Sequence, residues 1–290
     1  MEAMTASEAS SAQRSAPSLT SRDERLVRGW KRSRRRNRIA AIGLPLAVAV
    51  GFISYWQYAT THRSNASVLI PTFTDFVKAT WKLLGLGDFW HAVWISESAL
   101  LTAFGMAVAI GIPFGIYIGR RRTLDALTSG YLDIAVVTPT AVFMPLIIVF
   151  LGPTYWARVT VIFIFAFAYI VLPCRVASST VSGDLVDMAH SYGATKTAVW
   201  RDVIVPASVP GIFAGLRQGI AHAFTGMFLI ELTFLAVGLG YLIVGYEEAF
   251  DPAYVFGVSV IIVVQAAVCM SLLQYVENRL SAQWRSGGRK

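Results

Sequence analysis

Apolar residues in this chain gather into six long runs, at about residues 39–58, 93–118, 131–151, 157–177, 210–237 and 253–276. Each reaches or exceeds the roughly 18 residues at which an apolar helix can cross a bilayer. The pattern predicts an all-α membrane protein with six transmembrane helices. Pro139 and Pro145 predict a bend in the third run, because proline removes a backbone donor and crowds the preceding turn. Arg120-Arg121-Arg122 closes the second run, and residues 60–90 are mixed in character. Within them Ile70-Pro71-Thr72 marks a turn and residues 75–84 a short surface helix. Gly238-Leu239-Gly240 and the acidic pair Glu247-Glu248 fall in the connection between the fifth and sixth runs.

One long polar island interrupts the apolar pattern, SGDLVDMAHSYGATKTAVWRDVIVPASVPG, from Ser182 to Gly211. It reads as helix, glycine turn, helix and proline pair. Asp184 is placed to cap the first helix, with Asp187 in the capping-box position. Leu185, Met188, Ala189 and Tyr192 share one helical face at i, i+3, i+4 and i+7. Gly193 follows at once, where a left-handed turn excludes a Cβ. Thr195 is placed to cap a second short helix carrying Val199, Trp200 and Val203. Pro206 is expected to end that helix, and Pro210 to open the next. On pattern alone the island is an interfacial loop.

Composition agrees with a membrane domain: 55% of residues are hydrophobic and 14% charged. A net charge of +8 would ordinarily raise nucleic acid as a partner, but its distribution follows topology instead. Ten of the 25 Lys and Arg precede residue 39, in a Ser/Ala/Thr-rich stretch expected to be a disordered tail (residues 1–38). Its dense end, residues 28–38, is placed to meet anionic lipid headgroups. The apolar run behind it is too long for a cleaved signal peptide. Six crossings put both termini on one side. That side takes the ten tail cations, Arg120, Arg121, Arg122, Arg175, Lys196, Arg201, Arg217, Arg279, Arg285, Arg289 and Lys290. The other takes only Arg63, Lys78, Lys82 and Arg158. By the positive-inside rule the termini, the polar island and a basic tail over residues 278–290 are expected in the cytoplasm. Cys174 and Cys269 lie far apart in apolar runs, which supports neither a disulfide nor a metal site.

Within the apolar runs, Gly111, Gly115 and Gly119 repeat every four residues in the second, and Gly211, Gly215, Gly219 and Ala223 do so in the fifth. Such stripes let helix backbones approach closely, either as static packing or as sliding surfaces. Beside the second stripe Gln218, His222 and Thr225 share one helix face. Polar groups at membrane depth are costly, so this face is a candidate pathway lining or an interhelical bonding stripe. Glu231 and Glu97 are intramembrane near the opposite end, and Glu231 joins the candidate lining. Arg217 lies about 21 Å from Glu231 along a helix, too far to pair.

The run Asp187-Met188-Ala189, then Gly193-Ala194, Val205-Pro206 and Pro210, resembles the EAA loop of ABC-transporter permeases. The resemblance is to the nitrate, sulfonate, taurine and bicarbonate branch of the binding-protein-dependent inner-membrane permeases. It covers roughly residues 70–275, including GIPFGIYIG, Pro139 with Pro145-Leu146, GLRQG and GLGYLI. It implies a type I ABC importer permease fold with cytoplasmic coupling helices. Asp187, Met188, Ala189, Tyr192, Gly193, Ala194, Val199, Trp200 and Pro206 would then couple the chain to an ATPase. The implied partners are a second copy of the permease, two ATPase subunits and an extracytoplasmic solute-binding protein, in the bacterial inner membrane. Two departures stand out. Asp187-Met188 occupies the place where the pattern prefers Glu-Ala, and Val136-Val137 stands where relatives often carry Arg-Pro.

The resemblance implies transport of a small organic or inorganic anion, not catalysis. The chain lacks the GxxxxGK[ST] phosphate loop, so ATP and Mg2+ are expected on the partner ATPase. The competing classes are an autonomous secondary transporter, which calls for an internal repeat, and an intramembrane enzyme. No repeat is evident, and His62, His91, His190 and His222 show no HExxH-type spacing.

Overall fold

The computed structural model describes residues 43–45, 47–62 and 70–287, with side chains described up to residue 279. The predicted tail at residues 1–38 lies outside them, as do the start of the first predicted span and residues 288–290. Residues 43–45 and 47–62 are helical (α1) and belong to a unit of their own that ends at Arg63. The second unit holds α2 (Phe73–Leu84), α3 (Gly87–Gly119), α4 (Arg122–Val137), a 3-10 turn (Thr140–Phe143), α5 (Met144–Leu151) and α6 (Tyr155–Ser179). It continues with α7 (Gly183–Ser191), α8 (Lys196–Val199), a π-turn (Trp200–Ile204), α9 (Val205–Thr233), α10 (Gly238–Glu248) and α11 (Pro252–Gly287). No strand occurs among the described residues.

Four of these helical stretches are long and apolar enough to cross a membrane: α3, α6, the continuous stretch Lys196–Thr233, and α11. A fifth crossing is formed if α4 and the segment Thr140–Leu151 count as one broken span. Here the expectation of a single bent helix needs correction. The chain turns by 89°. Thr138 is extended (ψ 129°), as the residue before a proline is driven to be, and Pro139 has no N–H to carry the helix on. Pro145 does not bend anything, because it sits in the first turn of α5, where its missing donor costs nothing. The helix also begins at Arg122, nine residues before the expected start at Tyr131. At the far end, α11 continues as helix through the stretch expected to be a tail, as far as Gly287.

Helix α6 is the hub of the second unit, lying between α3 and α9. Ala99, Leu100, Ala103 and Ala107 of α3 meet Val159, Ile162, Ala166 and Ile170 of α6, and Ile220, Ala223, Phe224 and Met227 of α9 close the other side. Both glycine stripes face this hub. A Cβ at Gly115 would stand 2.7 Å from the Val171 carbonyl, and one at Gly119 2.2 Å from that of Arg175. One at Gly211 would stand 2.1 Å from the Ala177 Cβ, and one at Gly215 2.8 Å from the Ile170 carbonyl. Gly219 packs against the Ile170 side chain, and Gly111 is the loosest, at 3.2 Å. Large apolar side chains point outward instead, as in Val149 and Phe150 of α5 and Val263 and Leu272 of α11, which suits a lipid surround.

Gly211→Val is expected to lower the thermal midpoint of the detergent-solubilised protein sharply. Overpacking costs about 1–3 kcal/mol or more when backbone must move. Gly130→Ala, where a Cβ meets nothing within 4 Å, is the control. Equal midpoints for the two variants would show that the α6–α9 contact is not close-packed.

Candidate functional site

The polar island forms a helical knuckle between α6 and α9. Its cap is not the expected one: Ser182 is the N-cap, and its Oγ accepts from the Asp184 N–H at 3.2 Å. Asp184 therefore lies inside the first turn, where its charge favours the helix N-terminus. Thr195 caps α8, accepting from the Ala198 N–H at 3.3 Å. Between them α7 closes on paired bonds, Gly193 N–H to His190 O (2.9 Å) and Ala194 N–H to Ala189 O (3.0 Å). This closure requires the left-handed conformation, and Gly193 has φ +81°.

Pro206 does not end the second helix. The backbone runs on as helix from Lys196 to Thr233 by widening into the π-turn, in which the Val205 N–H donates to the Trp200 carbonyl, five residues back. The wider turn makes room for the proline ring that an ordinary helix would press against the carbonyl four residues before it. Pro206 thus falls in the first turn of α9, and Pro210 lies inside that helix.

The knuckle has two faces. Val199 and Ile204 are buried in the α3–α6–α9 core, with Val186, Ala189, Ala194 and Trp200 packed against it. Tyr117, near the end of α3, stacks on Trp200 with ring centroids 6.3 Å apart. Arg120 donates to the Val181 carbonyl at 3.1 Å, and Arg175 pairs with Asp125, so the ends of α3, α4 and α6 are tied beside the knuckle. Leu185, Met188 and Tyr192 face outward, Tyr192 at 87% exposure, and Asp187 is also exposed. The predicted apolar face is therefore split: Ala189 turns to the core and the other three residues are left uncovered.

The predicted polar stripe lies on the less covered side of α9. Gln218 and Thr225 are exposed and His222 is half-buried. His222 stacks on Tyr169 with centroids 3.4 Å apart. Thr225 satisfies itself by donating to the Ala221 carbonyl at 3.1 Å, whereas Gln218 makes no hydrogen bond among the described residues. Arg217, one residue away, pairs with Glu277 of α11.

Glu231 does not join that stripe. It is buried at the other end of α9 in a network whose other members sequence reasoning missed. The Ser96 Oγ donates to Glu231 Oε2 at 2.7 Å and accepts from the Leu239 N–H at 2.9 Å. The Gly240 N–H donates to the same carboxylate oxygen at 3.3 Å, and the Arg158 guanidinium lies 3.5 Å from Oε1. The carboxylate and the serine thereby satisfy the first amides of α10. A Cβ on Gly238 (φ +60°) would stand 2.3 Å from the Ser96 Oγ, and one on Gly240 2.6 Å from the Glu231 backbone. The Gly-Leu-Gly sequence is thus the negative image of Glu231. Arg158 was legible only as a flanking charge at the start of a span. Its ionic role was signalled by an intramembrane Glu that needed a partner. Glu97 and Gln265 each bury a side-chain oxygen without a hydrogen-bond partner among the described residues.

Membrane-length helices, joined at one end by a buried ionic network and at the other by a surface knuckle, make the described residues part of a polytopic helical membrane protein. The chain belongs to the family described as binding-protein-dependent transport system inner membrane component, whose model matches residues 111–282. A probable ABC transporter permease protein of Brucella abortus is 30% identical over 86% of this chain and 98% of its own length. The riboflavin transport system permease RibX of Chloroflexus aurantiacus is 27% identical over 88% of this chain and 94% of its own length. The taurine transport system permease TauC of Escherichia coli is 22% identical over 83% and 89%. The chain is therefore an ABC transporter permease of the type I fold, a multi-pass membrane component of transport rather than an enzyme. Permeases of this family work with an ATPase and a solute-binding protein.

Ser96→Ala is expected to destabilise the protein by about 1–3 kcal/mol, because it strands the buried Leu239 N–H and removes a donor from Glu231. Gln218→Ala, which breaks no bond, is expected to leave the thermal midpoint within about 0.5 kcal/mol of wild type. A Ser96→Ala midpoint equal to wild type would show that the network does not hold α10.

Proposed function

We propose that this chain is the pathway-forming subunit of an ATP-driven importer. Two copies enclose the pathway, and two cytoplasmic ATPase subunits bind ATP and Mg2+ and dock on the knuckle. A solute-binding protein delivers the substrate from outside. The observation that carries this reading is the two-faced knuckle. Leu185, Met188 and Tyr192 are uncovered on one side, while Val199 and Ile204 are anchored in the transmembrane core on the other. A partner that grips the outer face moves the core with it. The cation distribution supports a cytoplasmic knuckle and cytoplasmic termini.

The substrate is a small anion of the sulfonate, carboxylate or nitrate type, a reading supported by the taurine permease among the relatives. A second reading, a planar aromatic solute, is favoured by the stacked Tyr169–His222 rings and by the riboflavin permease among the relatives. In both, Gln218 and His222 line the pathway, because lipid would leave them unsatisfied.

Gly193→Val tests the coupling role. At φ +81° a Cβ costs about 1–2 kcal/mol in conformation, and no neighbouring atom within 4 Å adds to that. The variant should reach the membrane, bind ATPase weakly, and lose both uptake and binding-protein-stimulated ATP hydrolysis in reconstituted vesicles. Stimulation at the wild-type level would remove the knuckle from the coupling mechanism.

His222→Leu should assemble normally with its ATPase and lower the uptake rate by about tenfold, equivalent to about 1.4 kcal/mol. Unchanged uptake across substrate concentrations would make the stripe a packing feature.

A further inference from the structure

At the junction of α10 and α11, Phe250 holds φ at +54°. That region is disfavoured for any residue with a Cβ, and a bulky side chain there is an outlier. The junction is a helix C-terminus closed by the Phe250 N–H donating to Glu247 O (3.0 Å) and the Asp251 N–H donating to Tyr246 O (2.9 Å). Glycine is the usual residue at this position of such a closure, and it takes the conformation without strain. The chain instead places a phenylalanine here and leaves its ring 78% exposed. Burial inside the chain therefore does not offset the strain. Backbone strain kept at an exposed side chain is a mark of a surface used in binding.

The surroundings say what kind of partner fits. The ring borders a cavity of about 330 Å3, lined also by Tyr246, Asp251 and Val255. Tyr246 stacks on Tyr254 at 4.7 Å. Glu247, Glu248 and Asp251 flank the ring and form no ion pair among the described residues. The Tyr246 phenol is pushed above its ordinary range, by burial first and then by Tyr254 and Asp251, with Lys82 acting against them and Asp88 adding to them. An exposed aromatic ring alone would suit a lipid headgroup layer. Three carboxylates beside it gain nothing from an uncharged headgroup layer and are complemented by a partner that brings positive charge. A second copy of this chain offers little of it at this end. The cations assigned to this side are Arg63, Lys78, Lys82 and Arg158, and the last is buried on Glu231.

We propose that the α10–α11 corner is a docking point for the solute-binding protein, with Phe250 entering an apolar notch of that protein and Glu247, Glu248 and Asp251 meeting lysines or arginines around it. This rests on the importer reading. The test uses vesicles holding the full transporter and its solute-binding protein, purified with the ligand it retains. Phe250→Gly should keep basal ATP hydrolysis and keep or raise the thermal midpoint. It should also raise the binding-protein concentration for half-maximal stimulation by about tenfold, as loss of an anchor residue does. Replacing both Glu247 and Glu248 with Gln should weaken the salt dependence of that stimulation. A cysteine at Glu248 should react with an impermeant reagent from outside, and protection by the binding protein would support the contact. Wild-type half-saturation in Phe250→Gly, a lowered midpoint in that variant, or labelling of residue 248 only from inside would each overturn the proposal. Wild-type transporter that no binding protein stimulates would overturn the importer reading itself, and the proposal with it.

Discussion

Everything in the second unit depends on how closely α3 and α9 approach α6. Lipid tails are as apolar as leucine, so burial of apolar surface gives membrane helices little reason to associate. Dispersion between closely apposed backbones has to supply it, and that contact is short-ranged enough to be lost over a fraction of an ångström. Gly115 and Gly119 on one side of α6, and Gly211 and Gly215 on the other, bring backbone to backbone at distances no side chain could occupy. The hub is therefore stiff in the region where the glycines lie. These glycines are concentrated toward one end of each helix, beside the knuckle.

That placement joins packing to function. Val199 and Ile204 are members of the same buried cluster as Ile170 and Cys174 of α6. The knuckle is thus an extension of the stiff core, with Arg120 and the Arg175–Asp125 pair fastening the neighbouring helix ends. The π-turn keeps the knuckle's second helix continuous with α9 despite Pro206. A broken, loop-like connection would absorb a displacement, whereas an unbroken one passes it on.

Much of this was legible in the sequence, for reasons that differ by element. The spans α3, α6, α9 and α11 follow from length and hydropathy, because a bilayer demands about 20 apolar residues whatever the tertiary context. Gly193 was legible because helix closure has one dominant chemistry. The α4–α5 break was half legible. Pro139 announced a disturbance, but whether a helix bends or stops depends on what the extended residue before it packs against. The cap at Ser182 and the continuity through Pro206 were misread, since both turn on a shift of one or two residues that local pattern does not fix. The Glu231 network could not be read at all as a set. Ser96, Arg158, Glu231 and Gly240 come from four separate segments, and only the fold brings them within hydrogen-bond reach.

The two ends of α9 finally explain why this helix carries both a flexible-looking polar stripe and a rigid glycine stripe. Its 29 residues span about 43 Å, from the π-turn to the buried carboxylate that holds the first amides of α10. The glycine side, pressed on Ile170, fixes the rod to the hub. Beside it run Gln218 and Thr225, which are exposed, and His222, which is half-buried against Tyr169 of α6. A helix tied at one end to the knuckle and at the other to a short helix at the far surface has no slack in which to hide a motion. A small rotation about the α6 contact would therefore carry the neighbouring polar stripe with it along the length of the helix, as the importer reading requires.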